Sequence, residues 1–287
     1  MKAIEKMFAA ILACAMMMCV LTGCGSAKTT ETADVELPGW AESLSDEGKA
    51  AVKEIVSEGK IVLGTSADYA PFEFHNEIDG EDTIIGFDIS VAQFIADTFG
   101  VELEIVDMSF DNLLISLNKE DFDIVLAAMA GNEERAKAVD FSNEYYISNN
   151  VLLVLNENAD KYTTQESLKG VTVAAQKGTV CEDKAKELSG EETVVALVKV
   201  QDMVAELLNG KVEAIICDKP VASGYAIMQE SLSMVDIGLV AEEGMSVAMK
   251  KDSAGLVEAV NAVLSEISEE QMSSWMGEAQ LAAGIEE

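Results

Sequence analysis

One grammar occurs twice along this chain, and it constrains the fold more than any other feature. Short runs rich in β-branched residues alternate with segments whose apolar residues recur at helical spacing. The first series is Lys60–Thr65 as strand, Phe87–Phe99 as helix with Gly100 as its stop, and Val101–Met108 as strand. It continues with Phe110–Asn118 as helix and Phe122–Ala127 as strand. The second series repeats that order: Val171–Ala175, Cys181–Leu188, Thr193–Val198, Val200–Leu208 and Val212–Cys217, with Pro220–Gln229 as a further helix. Each series reads β-α-β-α-β, which predicts an α/β protein of two lobes with mostly parallel sheets. Tyr145–Leu155 joins them as an apolar, strand-like run without a Gly or Pro break. A second crossing near Leu239–Met245 leads back to helices over Ala254–Ile267 and Gln271–Leu281. Two crossings make a hinge, and a hinge makes a cleft. The expected division is residues 46–148 plus 246–287 for lobe one and 149–245 for lobe two. Lobe one opens with a helix over Gly48–Ser57, started by Ser45-Asp46-Glu47 and ended by Gly59.

Charge narrows the partners. With 19 Lys and Arg against 52 Asp and Glu, the formal net charge is −33. Such a surface repels phosphate backbones, so nucleic acid is excluded as a partner, and anionic lipid is repelled unless an anchor is supplied. The start of the chain offers one. Lys2 and Lys6 precede Met7–Val20, a run of 14 residues without charge, too short for a comfortable permanent span. It ends in Leu21-Thr22-Gly23-Cys24, which resembles the bacterial lipobox, so residues 1–23 read as a lipoprotein signal peptide. Cys24 is then the lipidated residue, and residues 24–45 form a Ser/Thr/Ala-rich tether. Of five cysteines, this leaves Cys181 and Cys217, read as free, partly buried thiols over an extracellular disulfide.

Ligands of open α/β sheets sit beyond the carboxyl ends of strands. Five segments qualify. After Lys60–Thr65 come small residues including Ser66, then Tyr69 and Pro71; Tyr69 is either a pocket wall or part of a packed turn. Phe110 opens a helix after the next strand and either faces Tyr69 across a small ligand or belongs to the core. In Leu126–Ala136 small residues, among them Ala128 and Ala130, lead to Asn132, a helix cap, and to Arg135. Every other basic residue of the chain is a lysine. Arg135 alone offers the planar fork that matches a carboxylate with two hydrogen bonds; otherwise it pairs with Glu133, Glu134 or Asp140. Gln176-Lys177-Gly178-Thr179-Val180 is a strand-to-helix turn with amides able to meet an anion or a carbonyl. Asp218 ends a buried strand before Pro220, where a carboxylate binds a ligand ammonium or caps the helix. There is no phosphate loop, dinucleotide fingerprint, nucleophile elbow or metal-spaced Cys/His set, and His75 is the lone histidine. No cofactor, metal or catalytic residue is therefore expected. His75 itself is read as part of a polar surface turn.

These segments together resemble a family: the extracytoplasmic solute-binding proteins, family 3, of polar amino-acid ABC importers. The resemblance runs from about Lys60 to the C-terminus. It rests on GTSADYAPFEF (Gly64–Phe74), IIGFDIS (Ile84–Ser90), FDIVLAAMAGNEERAKAVDFSNEYY (Phe122–Tyr146), LKGVTVAAQKGT (Leu168–Thr179) and GKVEAIICD (Gly210–Asp218). It implies a type II periplasmic-binding-protein-like fold with a free α-amino acid in the interlobe cleft. The partners it implies are an ABC permease and ATPase complex that receives the ligand. The protein is then a lipid-anchored monomer facing the extracytoplasmic side, and not an enzyme. It also implies roles: Arg135 for the ligand carboxylate, Asp218 for the ammonium, Tyr69 and Phe110 for the side chain, the Ala128 carbonyl for the ammonium, and Gln176 for side-chain reading. Two positions depart from the family. Ala130 stands where a Ser or Thr hydroxyl is usual, and Val180 follows the Gly178-Thr179 pair where Thr or Gly is common. Ser66 stands where an acid often reads basic side chains, which argues against Lys, Arg or His as ligand, although Asp68 and Glu73 are near enough to reverse that. A sensory or adhesive lipoprotein of the same fold, and a cyclic-acid dehydratase with Glu73 as general acid, are the alternatives.

Overall fold

The computed structural model describes residues 36–285. The expected signal peptide, Cys24 and most of the expected tether lie outside the described residues. Among those described, no helix is long and apolar enough to cross a membrane.

The first half builds one sheet. After α1 (Asp46–Glu58) come β1 (Lys60–Thr65), β2 (Asp68–Tyr69), β3 (Glu73–Ile78), β4 (Glu81–Ile85) and α2 (Phe87–Phe99). There follow β5 (Glu102–Asp107), α3 (Leu113–Leu117), β6 (Ile124–Val125), α4 (Glu133–Ala136) and β7 (Val139–Tyr146). The second half supplies β8 (Asn150–Leu155), β9 (Val173–Gln176), α5 (Val180–Ser189), β10 (Val194–Leu197), α6 (Val200–Leu208), β11 (Ala214–Asp218), α7 (Lys219–Met228) and β12 (Leu232–Leu239). The chain then returns through β13 (Met245–Lys250) to α8 (Ala254–Leu264) and α9 (Glu269–Ala282).

Two five-stranded sheets result, ordered β5-β1-β6-β13-β7 and β10-β9-β11-β8-β12. They obey one plan. In the first, β1 pairs in parallel with β5 and β6, while β13 runs antiparallel to β6 and β7. In the second, β9 pairs in parallel with β10 and β11, while β8 runs antiparallel to β11 and β12. Half of the strand pairings in each sheet are thus parallel, and four of the five strands in each run the same way, with β13 or β8 reversed. Each β-α-β-α-β series does form a parallel trio. The remaining two strands of each sheet are those that carry the chain across, and a strand entering from the opposite lobe arrives with the opposite sense.

Packing follows from the pattern. On β8, Val151 and Leu153 join one apolar cluster and Leu152 and Val154 another, so the strand is buried on both faces. The long Tyr145–Leu155 run divides at residues 147–149, because Ser148 and Asn149 interrupt the apolar series just where the chain leaves the first sheet. Helix ends match their signals: Ser45 accepts from the Gly48 amide at 3.1 Å, and Gly59 and Gly100 close α1 and α2 at φ 73° and 75°.

Two segments differ from their sequence reading. Glu73–Ile85 is a β-hairpin rather than a surface turn, with Asp79 and Gly80 at φ 55° and 86° forming its tip. His75 sits on β3, with ring nitrogens 3.0 Å from Asp82 and 3.3 Å from Asp107. Part of the segment expected as tether also packs on the domain. Gly39–Ser43 is a 3₁₀ turn whose Trp40 Nε1 donates to the Thr98 carbonyl at 2.8 Å and whose Ala41 is fully buried.

Gly86, between β4 and α2, has φ 137°, and a Cβ there would lie 2.2 Å from the Phe72 carbonyl oxygen. Backbone cannot yield as a flexible side chain would. Gly86→Ala is expected to lower stability by about 2 kcal/mol or more, measured as the thermal midpoint by circular dichroism; an unchanged midpoint contradicts it.

Candidate functional site

The parallel trios point their carboxyl ends at one another, and the segments beyond those ends close around a small cavity of about 30 Å³. Lobe one contributes Tyr69 from β2, Phe110 after β5, Ala128 and Ala130 after β6, and Arg135 from α4. Lobe two contributes Gln176, Thr179, Val180 and Asp218. Nine of the ten residues proposed from sequence thus line one cavity. Ser66 does not; it is buried beside the cavity with its hydroxyl donating to Asp68 Oδ1 at 3.1 Å. Ala127 and Cys181 complete the wall and carried no sequence signal. Ala128, Ala130, Val180 and Asp218 also border an adjoining cavity of about 310 Å³.

Arg135 is held without an ion pair. Nη1 donates to the Ala130 carbonyl at 2.7 Å, Nη2 donates across the cleft to the Gly178 carbonyl at 3.0 Å, and Cζ lies 5.3 Å from the centre of the Phe110 ring. Among the described residues it bridges to no carboxylate, Glu133, Glu134 and Asp140 included. Asn132 caps the short helix, accepting from the Arg135 amide at 2.9 Å, which fixes the backbone beneath the guanidinium. Burial lowers the pKa of the group, yet a guanidinium stays charged, with donors left over for an anion.

Asp218 is the opposite pole. It stands at the N-cap position of α7, but its side chain makes no cap bond. Instead Oδ2 accepts from the Tyr69 hydroxyl at 2.7 Å, and that hydroxyl oxygen accepts from the Asp218 amide at 3.0 Å. Burial pushes its pKa up to about 6, against the Tyr69 and Ser148 hydrogen bonds. Tyr69 itself stacks on Phe72 at 6.0 Å. Cys181 and Cys217 are both free and buried, and burial raises both thiols, so neither is a ready thiolate.

The two lobes are also fastened around the cavity by groups that periodicity and motifs do not single out. The Asp68 carboxylate on β2 accepts from the Val200 amide at 2.9 Å and from Gln176 Nε2 at 3.2 and 3.3 Å. Lys177 Nζ lies 2.8 Å from Asp111 Oδ2. Asp68 therefore spans the cleft edge and Gln176 is its partner. Among the described residues no group of three or more His, Cys, Asp or Glu is arranged to hold a metal ion.

The sequence and the two-lobed fold that carry this cavity are matched by known proteins. The model of the bacterial extracellular solute-binding proteins, family 3, covers residues 61–276. This chain belongs to that family. The arginine-binding extracellular protein ArtP of Bacillus subtilis is 32% identical over 268 residues, which is 92% of this chain and 93% of that protein. A solved amino acid ABC transporter substrate-binding protein from Streptococcus pneumoniae, bound to L-arginine, superposes with a TM-score of 0.77 at 38% identity, covering 83% of this chain and 99% of that one. An ancestral amino acid-binding protein, a precursor of cyclohexadienyl dehydratase, superposes with a TM-score of 0.73 at 32% identity, covering 79% and 98%. The family fold is the type II periplasmic-binding-protein fold, with two lobes joined by two crossings.

Proposed function

We propose that this protein is the membrane-anchored binding component of an amino-acid ABC importer, and that its ligand is a free cationic α-amino acid, L-arginine foremost. One observation carries the reading: Arg135 and Asp218 face one cavity from opposite lobes without pairing to each other. A ligand bearing both charges pairs with both groups and adds to the contacts that already fasten the lobes, so a zwitterion stabilises the closed form through contacts it cannot make when the lobes are apart. Arg135 takes the carboxylate, Asp218 the ammonium, and the Tyr69 and Phe110 rings flank the side chain. The Tyr69 and Phe110 faces, with Asp183, Glu187, Glu242 and Glu243 lining the adjoining cavity, favour a cationic side chain, and relatives that bind arginine by name support the choice. Ala130 brings no hydroxyl to the ligand carboxylate; its carbonyl accepts from Arg135 Nη1 and orients the guanidinium that does the holding.

The boundaries of the lobes are proposed as those of the two sheets, with hinges at residues 147–149 and 240–244. Lipidation at Cys24 holds the domain on the extracytoplasmic face, where it acts as a monomer and releases ligand to a permease. Catalysis is not part of the reading. Glu73, the candidate general acid, is 1% exposed and lines neither cavity.

Calorimetry of the domain against L-arginine, L-lysine, L-histidine, L-glutamine and L-cystine tests the ligand class, with arginine expected to bind most tightly. Absence of binding to all five rejects the reading. Because Asp68 joins the lobes, Asp68→Ala is expected to weaken arginine binding about tenfold, the value of one hydrogen bond to a charged group, in the same titration.

A further inference from the structure

Behind the cavity lie two carboxyl groups whose hydrogen bonding does not close unless a proton is placed between them. Glu73, at the start of β3, is 1% exposed, and Asp88, in the first turn of α2, is fully buried. Asp88 Oδ2 accepts from the Ala128 amide at 2.7 Å and from the Tyr145 hydroxyl at 2.8 Å. Its other oxygen, Oδ1, and Glu73 Oε2 are each buried with no donor among the described residues. The two side chains are within hydrogen-bonding reach of one another. Two ionised carboxylates in contact and out of water repel each other and leave both oxygens unsatisfied.

We propose that Glu73 and Asp88 share one proton, carried by Glu73, and that this acid–carboxylate pair is the positioning device that holds Ala128 at the ligand cavity. The proton answers both orphaned oxygens at once: the Glu73 hydroxyl donates to Asp88 Oδ1. Asp88 is the charged partner because two donors already stabilise it, whereas nothing donates to Glu73 Oε2. Burial first, then the negative charges of Asp88, Asp68 and Asp218, pushes Glu73 well above the usual carboxyl range. Asp88 rises only to about 6, because the Ala128 amide, the Tyr145 hydroxyl and Glu73 oppose its desolvation. The titratable groups facing the pair are Asp68 on β2, Asp218 at the end of β11 and Tyr145 on β7; no cation is among them.

The pair acts through Ala128. That residue has φ 47°, the left-handed region that a Cβ disfavours, and its amide is held there by Asp88. Ala128 borders both cavities alongside Asp218. Tyr145, the second donor, lies on β7 just before the chain crosses to lobe two. A shared proton thus ties the turn that borders the ligand to a strand that leads into the hinge. The positioning half of this inference rests on the amino-acid-binding reading; the proton does not.

The test compares Glu73→Gln and Glu73→Leu with the wild type. Glu73→Gln keeps a donor to Asp88 but has no proton to lose. The folded wild type retains its Glu73 proton to higher pH than the unfolded chain, so its stability falls as pH rises above about 4.5. Glu73→Gln lacks that loss. Its thermal midpoint relative to wild type is expected to climb by about 5 °C or more between pH 5 and 8. Parallel midpoints across that range overturn the shared proton. In calorimetry with L-arginine at pH 7, Glu73→Gln is expected to bind within about threefold of wild type and Glu73→Leu at least about tenfold more weakly. Equal affinity of the two variants overturns the positioning role. Should Glu73→Leu not fold, a Glu73→Gln affinity more than tenfold below wild type overturns it instead. If the wild type binds no amino acid, the functional reading fails, while the stability profiles still decide the proton.

Discussion

Arg135→Ala is expected to abolish practical ligand binding. The guanidinium is half-buried, donates to two carbonyls that set its plane, and keeps free donors on the cavity side. Removing it leaves the ligand carboxylate desolvated and unpaired, a loss of roughly 3–5 kcal/mol, or about two to three and a half orders of magnitude in affinity. The same change deletes the bond to Gly178 across the cleft, so closure weakens as well. Arg135→Lys retains the charge but not the fork and is expected to fall between the two. Calorimetry with L-arginine reads the loss, and the disappearance of ligand-induced thermal stabilisation provides a second measure. Wild-type affinity in Arg135→Ala would remove Arg135 from the site.

Asp218→Asn is expected to cost nearly as much, about 2–5 kcal/mol, because a buried ammonium then faces a neutral amide. The substitution keeps the acceptor for the Tyr69 hydroxyl, so the loss reports charge rather than collapse of the wall. Its signature is a pH profile. Asp218 titrates near 6 in the folded protein and must be ionised to receive the ammonium. Wild-type affinity is therefore expected to weaken as pH falls below about 6, by up to tenfold per pH unit for this group, while Asp218→Asn stays weak and much flatter. The stability contribution has the opposite sense. A carboxyl raised above its unfolded value makes the fold less stable as pH rises from about 4 to about 6, and ligand binding offsets that loss at neutral pH. Affinity that does not change between pH 5 and 7 in the wild type rules out Asp218 as the ammonium partner.

Much of this site is written locally. Arg135 stands out as a lone arginine among lysines, Asp218 as a carboxylate at the end of a buried strand, and Tyr69 and Phe110 as aromatics just past strand ends. Each needs only the rule that ligands collect beyond the carboxyl ends of strands. What escaped that reading is pairwise. Asp68 has no spacing that announces Val200, a partner 132 residues away. Asp111 and Lys177 carry no local sign of each other, and their pairing exists only where the lobes meet. The hairpin over Glu73–Ile85 did carry a signal, the Asp79-Gly80 dipeptide, but its polar outer face hid the strand pattern.

The sequence by itself determined the two α/β series, the helix boundaries at Ser45, Gly59 and Gly100, and the cavity-facing residues at strand ends, because periodicity and capping are properties of a few neighbouring residues. Tertiary structure alone decided three things: that one strand of each sheet is reversed, that Arg135 has no acidic partner among the described residues, and that Glu73 lies against Asp88 rather than the cavity. Each depends on which distant segments arrive at the same place, and the energy of a buried charge is set by those arrivals and not by its position in the chain.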